Sequence, residues 1–404
     1  MKQENILCVQ FSNKLLESNY PKILIDYNNK IYQTYNNEGL YKGRDFYELP
    51  LWISRISALY DGRLLGKKKF IIIKDLLNDA EKINNSNTKY LLFSVLDSTV
   101  NLTKDLLSKL NTKKVKIITG GYSVINNKSI KHCKSILELA TYLQLPYNED
   151  YDYKCFKGNK TIPRLSLSYG CNNNCKFCII NENVKIKHFP TIIKQLDDII
   201  KYLKFKIIYI DDKTFGQATN YKYLDILYER VAKKIDFNGF IIQTTPSEFN
   251  KFTLEHNPYF VELGIESYND SILKKYNKPF TTNVIDTAIN KAMKLDIKIV
   301  PNIIVGLPEE TEFTYRQTIN FLKLIKPIIK HININLYSDY SNDNLLNRDE
   351  TILCKPMYSP KQNELNKWFL KEIINIGTNI LNDYGKTKSN REKRISTSLQ
   401  ETIK

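Results

Sequence analysis

Ser166 to Cys178, SLSYGCNNNCKFC, constrains this chain more than any other stretch. It closes a strand-like run, Arg164–Tyr169, and then sets Cys171, Cys175 and Cys178 in CxxxCxxC spacing behind Gly170. Three thiols on so short a loop can surround a single inorganic centre. Thiolates are soft ligands that suit iron–sulfur clusters or zinc. A closed zinc site takes four protein ligands, and no fourth is close by: His188, the nearest His, reads as part of a surface loop. A centre held by these three cysteines keeps one coordination position open. The competing readings are incidental cysteines and a zinc knuckle that lacks its fourth ligand.

The pattern, with Phe177 as the residue before the last cysteine, resembles the cluster loop of the radical S-adenosylmethionine (radical SAM) superfamily. The resemblance implies that Cys171, Cys175 and Cys178 hold a 4Fe–4S cluster whose fourth iron is chelated by S-adenosylmethionine. It further implies reductive cleavage of that cofactor to methionine and a 5′-deoxyadenosyl radical, which takes hydrogen from a substrate. An electron donor such as a flavodoxin or ferredoxin follows from the same chemistry. The protein supplies ligation, orientation and exclusion of water.

At 404 residues the chain has room for two or three domains. No run approaches the ~20 apolar residues of a membrane span. The first residues, MKQENILCVQFS, lack the apolar core and cleavage site of a signal peptide. The expectation is a cytoplasmic protein whose thiols stay reduced. The formal charge of +17 comes mostly from Lys in a chain also rich in Asn and Ile. No arginine-rich, aromatic-interleaved patch stands out, so charge alone does not make nucleic acid a partner. Cys8 and Cys133 read as core residues, whereas Cys155 and Cys354 lie in less regular sequence.

Residues 1 to 150 read as a doubly wound, flavodoxin-like α/β domain. Its apolar runs are Ile6–Phe11, Ile23–Ile25, Phe70–Ile73, Tyr90–Leu96 and Val115–Thr119, with helix-like sequence near Leu51–Leu65 and Leu102–Leu110. Its second half is similar to cobalamin-binding domains: Ser94 ends a strand before a helix, and Gly120-Gly121 ends a later one. The DxHxxG loop of those domains is absent, and no His precedes His132. Two alternatives stand: cobalamin held without that His, or a fold kept for docking substrate. A polar, aromatic connection, Tyr147–Lys160, leads onward.

From 160 to 342 the pattern repeats strand then helix, giving a partial (β/α)6 TIM-like barrel. Strands are expected at Arg164–Tyr169, Ile207–Asp211, Phe240–Thr244, Phe260–Glu266, Lys298–Val305 and Ile332–Tyr337. Functional residues of such barrels lie at the carboxyl ends of strands. By resemblance these ends form the cofactor site. Asp211 and Asp212 match a DD-x-F variant of a motif whose carboxylate receives the ammonium group, with Asp212 favoured. Glu266 and Ser267 match G-I-E-S beside ribose and methionine, and Gly306 and Pro308 match G-L-P-x-E-T beside adenine. Each has a plain structural alternative: a helix cap for an Asp, a salt bridge for Glu266. Thr311 is placed to cap the next helix, and Gln243 and Thr244 end the third strand. No residue is assigned as catalytic.

Residues 343 to 404 read as a C-terminal helical extension. Ser359-Pro360 opens a helix whose stripe of Leu365, Trp368, Phe369, Ile373, Ile376 and Ile380 packs on the barrel. A frayed basic tail follows from Lys386, with Arg391, Lys393 and Arg394 close together. The leading function is that of a radical SAM enzyme on an unidentified substrate, with cobalamin-dependent methyl transfer as one branch. The alternatives are a cobalamin-independent modification of a tRNA or peptide, and a metal-stabilised nucleic-acid-binding protein.

Overall fold

The computed structural model describes the chain except residues 1–5, 18–19, 41–48, 60–69, 97–98, 122, 159–160, 181, 252, 338–357 and 403–404, together with the side chains of 384–402. Cys354 therefore lies outside the described residues, as do the side chains of Arg391, Lys393 and Arg394.

The first sheet holds β1 (Ile6–Phe11), β2 (Phe70–Ile73), β3 (Tyr90–Ser94), β4 (Lys116–Gly120) and β5 (Ile130–His132). All its pairings are parallel and the order is β2-β1-β3-β4-β5. This is the flavodoxin-like doubly wound order, whose topological switch falls between the first and third strands. The helices that follow are α1 (Asn13–Leu16), α2 (Lys22–Asn37), α3 (Leu51–Ala58), α4 (Leu76–Asn84), α5 (Val100–Lys109) and α6 (Ile136–Tyr142). Asp75 and Ser135 cap α4 and α6 by accepting backbone N–H bonds. Cys8 and Cys133 are buried core residues, as expected.

One expectation fails here. Ile23–Ile25 lies inside helix α2, not in a strand. Of the run only Leu24 is buried; it joins Tyr27 and Ile31 at helical spacing in the core shared with the barrel, while Ile23 is exposed. A three-residue run carries too little periodicity to separate the two.

The second sheet holds β6 (Arg164–Leu165), β9 (Ile207–Ile210), β10 (Gly239–Thr244), β11 (Phe260–Glu266), β12 (Ile299–Val305) and β13 (Asn333–Leu336). It is fully parallel in the order β13-β12-β11-β10-β9-β6, so the strands follow the chain from one edge to the other. Connecting them are α7 (Phe189–Tyr202), α8 (Tyr221–Ala232), α9 (Pro246–Lys251), α10 (Asp270–Lys275), α11 (Thr282–Lys294) and α12 (Glu312–Leu324). This is the partial (β/α)6 barrel. The expected first strand is split, because Ser168–Tyr169 (β7) leaves the sheet and pairs antiparallel with Lys185–Ile186 (β8). The cysteine loop thus hangs from a small hairpin at the barrel's edge.

The connection from 147 to 158 is packed rather than slack. A short 3-10 turn, Tyr153–Phe156, buries both of its aromatic ends, and Tyr153 donates to the Arg164 carbonyl at 2.9 Å. After residue 357 the chain enters α13 (Pro360–Thr402). Ser359 caps it, accepting from the Gln362 N–H at 3.1 Å. Phe369 stacks on Tyr315 of α12 with centroids 3.9 Å apart, and Ile373 and Ile376 are buried, so the expected stripe does pack on the barrel. The frayed tail is a correction: the backbone stays helical to Thr402, since nothing in KTKSNREKRISTSLQET breaks a helix.

Candidate functional site

Gly170 turns the chain from β7 into the cysteine loop with φ +81, and a Cβ there would meet the Asn183 carbonyl oxygen at 2.3 Å. Only glycine meets both demands. The loop is then held to the hairpin's return strand by Cys171 N–H donating to the Glu182 carbonyl at 2.8 Å. Its far side docks on α10, where the Lys176 N–H reaches the Tyr276 carbonyl at 3.2 Å. Phe177 packs among Ile272, Tyr276, Ile304 and Leu307, its ring centroid 6.0 Å from that of Tyr276. The aromatic of the motif therefore anchors the loop against α10 and the end of β12.

Two of the three thiols meet backbone donors suited to anionic sulfur. Backbone N–H groups of Asn173 and Ile180 donate to Cys171 Sγ at 3.5 Å and Cys178 Sγ at 3.4 Å. Thr214 Oγ1 stands 3.3 Å from Cys171 Sγ. Burial pushes the Cys175 thiol up, opposed by the nearby Lys278 charge. Cys178 is exposed. Among the described residues no group of three His, Cys, Asp or Glu converges as a single metal ion requires. A four-iron cluster takes each thiolate on a different iron, and hydrogen bonds to its sulfurs are among the protein's levers on it. The loop fits that group.

At the end of β11 the backbone departs from the regular strand. The register to β12 shifts between Gly264 and Glu266, and Glu266 adopts φ +67. A non-glycine residue in that region stores strain and marks a place held by its surroundings. Glu266 is held by Lys278 Nζ at 3.1 Å, both side chains nearly buried. Lys278 also lies 5.4 Å from the Phe177 ring centroid, which joins strand end and cysteine loop. The salt-bridge alternative for Glu266 is thus present in the structure. Next to it Ser267 is buried beside Glu310, its hydroxyl closing no hydrogen bond of normal geometry. Burial pushes the Glu310 carboxyl up to about 7, against the Thr314 and Ser267 hydroxyls that favour its charged form.

The two aspartates after β9 are both engaged inward. Asp212 is 1% exposed and accepts from Leu167 N–H at 2.8 Å, Ser168 N–H at 2.9 Å, Ser168 Oγ at 2.6 Å, and the Asn220 side-chain amide. Those four donors occupy the lone pairs of a carboxylate. Burial still pushes its carboxyl up to about 6. The favoured role for Asp212, receiving an ammonium group, therefore meets a carboxylate already filled from within. Its visible work is to hold the backbone that leads to the cysteines. Asp211 pairs with Arg164.

Gly306 ends β12 with φ +95. The space its missing side chain leaves, expected to admit adenine, is faced by Tyr358: the hydroxyl lies 3.1 Å from the Cβ position and donates to the Gly306 carbonyl. Tyr315 Oη accepts from Gly306 N–H at 3.1 Å and donates to Asn366 of α13 at 2.8 Å. Pro308 is half-buried one turn on. Thr311 caps α12 in a reciprocal box with Thr314, as expected. Gln243 accepts from Tyr209 Oη at 3.1 Å, and Thr244 donates to the Phe215 carbonyl at 2.6 Å. Lys278, Tyr276 and Asn220 were not singled out from sequence. They lie outside strand ends, where position gives no signal.

At the carboxyl edge of the first sheet Gly121 has φ +97, and a Cβ would fall 2.2 Å from the Val95 carbonyl oxygen. Its close approach is to its own chain. His132 ends the edge strand β5 with Nδ1 3.0 Å from Thr119 Oγ1, and His188 is exposed ahead of α7. Against this geometry stand the comparisons with known proteins. The sequence model of the Radical SAM superfamily matches residues 165–322. A tRNA-2-methylthio-N(6)-dimethylallyladenosine synthase of Thermosipho melanesiensis is 25% identical over 213 residues, 47% of this chain and 48% of that protein. The ribosomal protein uS12 methylthiotransferase RimO of Dictyoglomus thermophilum is 25% identical over 263 residues, 59% of each. The chain thus spans about half the length of the curated relatives it matches. Among solved structures, the cobalamin-dependent S-adenosylmethionine radical enzyme OxsB with aqua-cobalamin and S-adenosylmethionine bound has a TM-score of 0.53 at 15% identity, covering 92% of this chain and 56% of that one. The radical S-adenosylmethionine methyltransferase TsrM of Kitasatospora setae has a TM-score of 0.55 at 11% identity, covering 82% and 75%. At these identities the likeness is one of fold.

Proposed function

Because the chain belongs to the radical SAM superfamily through residues 165–322, we propose that Cys171, Cys175 and Cys178 hold its 4Fe–4S cluster and that it modifies an unreactive C–H bond of its substrate. When bound, the cluster and S-adenosylmethionine supply a reductive cleavage that yields a carbon radical. The observation that carries the reading is the loop itself, with Cys171 and Cys178 Sγ met by backbone N–H groups beyond the carboxyl end of the first barrel strand. Gly170 and Asp212 fix the loop's approach, and Phe177 and Lys278 dock it on the strand ends. Glu266, Ser267, Gly306, Pro308 and Asp211 complete the cofactor surface in this reading, with Asp212 positioning rather than binding.

The working division is 1–150, 160–342 and 343–404, with the first unit presenting substrate to the barrel. The address is cytosolic, where a flavodoxin or ferredoxin can supply the electron. Methylthio transfer, the activity in the relatives' names, is not part of the proposal. That chemistry draws on a second cluster in the N-terminal unit, and only Cys8 and Cys133 lie there, both buried.

A second reading, cobalamin-dependent methyl transfer, is favoured by the first sheet's β2-β1-β3-β4-β5 order, with Ser94 and Gly120 at its carboxyl edge. The fit is partial, because the first 131 residues contain no His to ligate cobalt from below.

The test is anaerobic purification, reconstitution with iron and sulfide, reduction with S-adenosylmethionine, and chromatography for 5′-deoxyadenosine. Production in the parent and its loss in Cys175→Ala is the expected result. Tightly bound zinc with no cleavage would sink the proposal. Hydroxocobalamin added to the same protein tests the second reading through its absorption spectrum.

A further inference from the structure

Between α3, the connecting segment and the cysteine hairpin, two cations share one aromatic ring. Lys187, just after β8, places Nζ 4.4 Å from the Tyr151 ring centroid and donates to Tyr151 Oη at 3.2 Å. Arg55 of α3 places its guanidinium carbon 5.2 Å from the same centroid, and one of its nitrogens donates to the Asp150 carbonyl at 2.7 Å. Among the described residues neither cation has a carboxylate within 4.0 Å. Of the carboxylates in the neighbourhood, Asp150 pairs with Lys194, Asp211 with Arg164, and Asp212 is held by its backbone and side-chain donors, while Glu149 is exposed, accepts from Tyr147 and acts on Lys187 only at longer range.

Holding two cations together without a directly paired carboxylate is unfavourable, and most donors of both groups are left unspent. Burial already pushes the Lys187 ammonium down to about 8. The cluster also lies beside the cysteine loop, since Lys187 N–H donates to the Leu167 carbonyl at 2.9 Å, on the strand that leads into Gly170. A guanidinium fork, an ammonium and a phenol together suit a tetrahedral oxyanion. We propose that Arg55, Tyr151 and Lys187 form a phosphate-binding site that seats a phosphate ester of the substrate between α3 and the cysteine hairpin. The inference rests on the function proposed above for what carries the phosphate, and not for whether phosphate binds.

The test is titration calorimetry on the reconstituted full chain, with inorganic phosphate as the probe and acetate at equal ionic strength as the control. Saturable phosphate binding, weakened tenfold or more in Lys187→Met and in Arg55→Gln and largely kept in Lys187→Arg, is expected. The variants' circular dichroism and unfolding midpoints without phosphate establish that they fold. Adenosine monophosphate and a short oligoribonucleotide then separate the sources. Equal affinity assigns a small ester and tighter oligonucleotide binding a nucleic-acid backbone, and each supports the site. Acetate binding as well as phosphate, or variants with unchanged phosphate affinity, would overturn it. Unchanged affinity with lowered midpoints would show that the cations only bridge the two layers. A protein that yields 5′-deoxyadenosine but binds no phosphate would refute this inference and leave the radical reading intact.

Discussion

The hydroxyl of Tyr27 serves both polar groups of Ile332, donating to its carbonyl at 3.1 Å and accepting from its N–H at 2.9 Å. Ile332 stands at the entrance to β13, the last strand of the barrel sheet, whose outer side has no strand neighbour among the described residues. A helix from the chain's beginning thus supplies what another strand would. Tyr27→Phe keeps the ring and strands a buried N–H and a buried carbonyl. The expected loss is about 2 kcal/mol of stability, read as a lower denaturant midpoint at unchanged slope.

Gly170→Ala forces a side chain into the Asn183 carbonyl at a backbone angle that disfavours it. The strain, about 1–3 kcal/mol, falls on the hairpin that presents the cysteines. The variant should fold, by circular dichroism, and retain less iron than the parent after the same reconstitution. Equal iron content would show that the loop tolerates a different exit.

Asp212→Ala removes the acceptor for Leu167 and Ser168 N–H and leaves a buried cavity beneath the loop. A cost of about 3 kcal/mol is expected, with iron content falling alongside. Asp212→Asn keeps an oxygen for the two N–H groups and should recover part of both. If Asp212→Ala kept full stability while losing only affinity for S-adenosylmethionine, a direct contact with the cofactor would replace the positioning role.

Glu310 has a folded pKa of about 7, raised by burial from its ordinary value of 4.5. The folded state therefore holds this proton more tightly than the unfolded chain. The stabilisation it gives is complete below about pH 4.5 and is lost as pH rises through about 7, reaching on the order of 3 kcal/mol. Glu310→Gln keeps an acceptor for Thr314 and removes the titration. The midpoint difference between variant and parent should widen in the variant's favour from pH 5.5 to pH 8. A constant difference would mean Glu310 stays charged.

Much of the barrel could be read from the sequence because parallel strands buried on both faces appear as near-continuous apolar runs, as in IIYI and, broken only at Pro301-Asn302, IVPNIIV. The cysteine loop is local, so spacing alone exposed it. What escaped was long-range. Tyr27 against Ile332, Lys278 against Glu266 and Tyr358 against Gly306 join residues whose pairing no periodicity records. Asp212 shows the same limit at the site: its position after β9 was legible, its direction was not, because that depends on Ser168 and Asn220. Ile23–Ile25 failed for the opposite reason, being too short to reveal the helix around it.

Gly377 of α13 leaves room for Tyr27, whose hydroxyl would lie 2.3 Å from any Cβ placed there. During synthesis, then, α2 leaves the ribosome long before the helix it must seat against, and its apolar stripe waits through the making of the whole barrel. A nascent chain in that state has a hydrophobic helix without its neighbour. Its final closure is a contact of very large sequence separation, the kind that slows folding. The emergence of α13, rather than that of any one strand, is the moment at which α2 finds its seat.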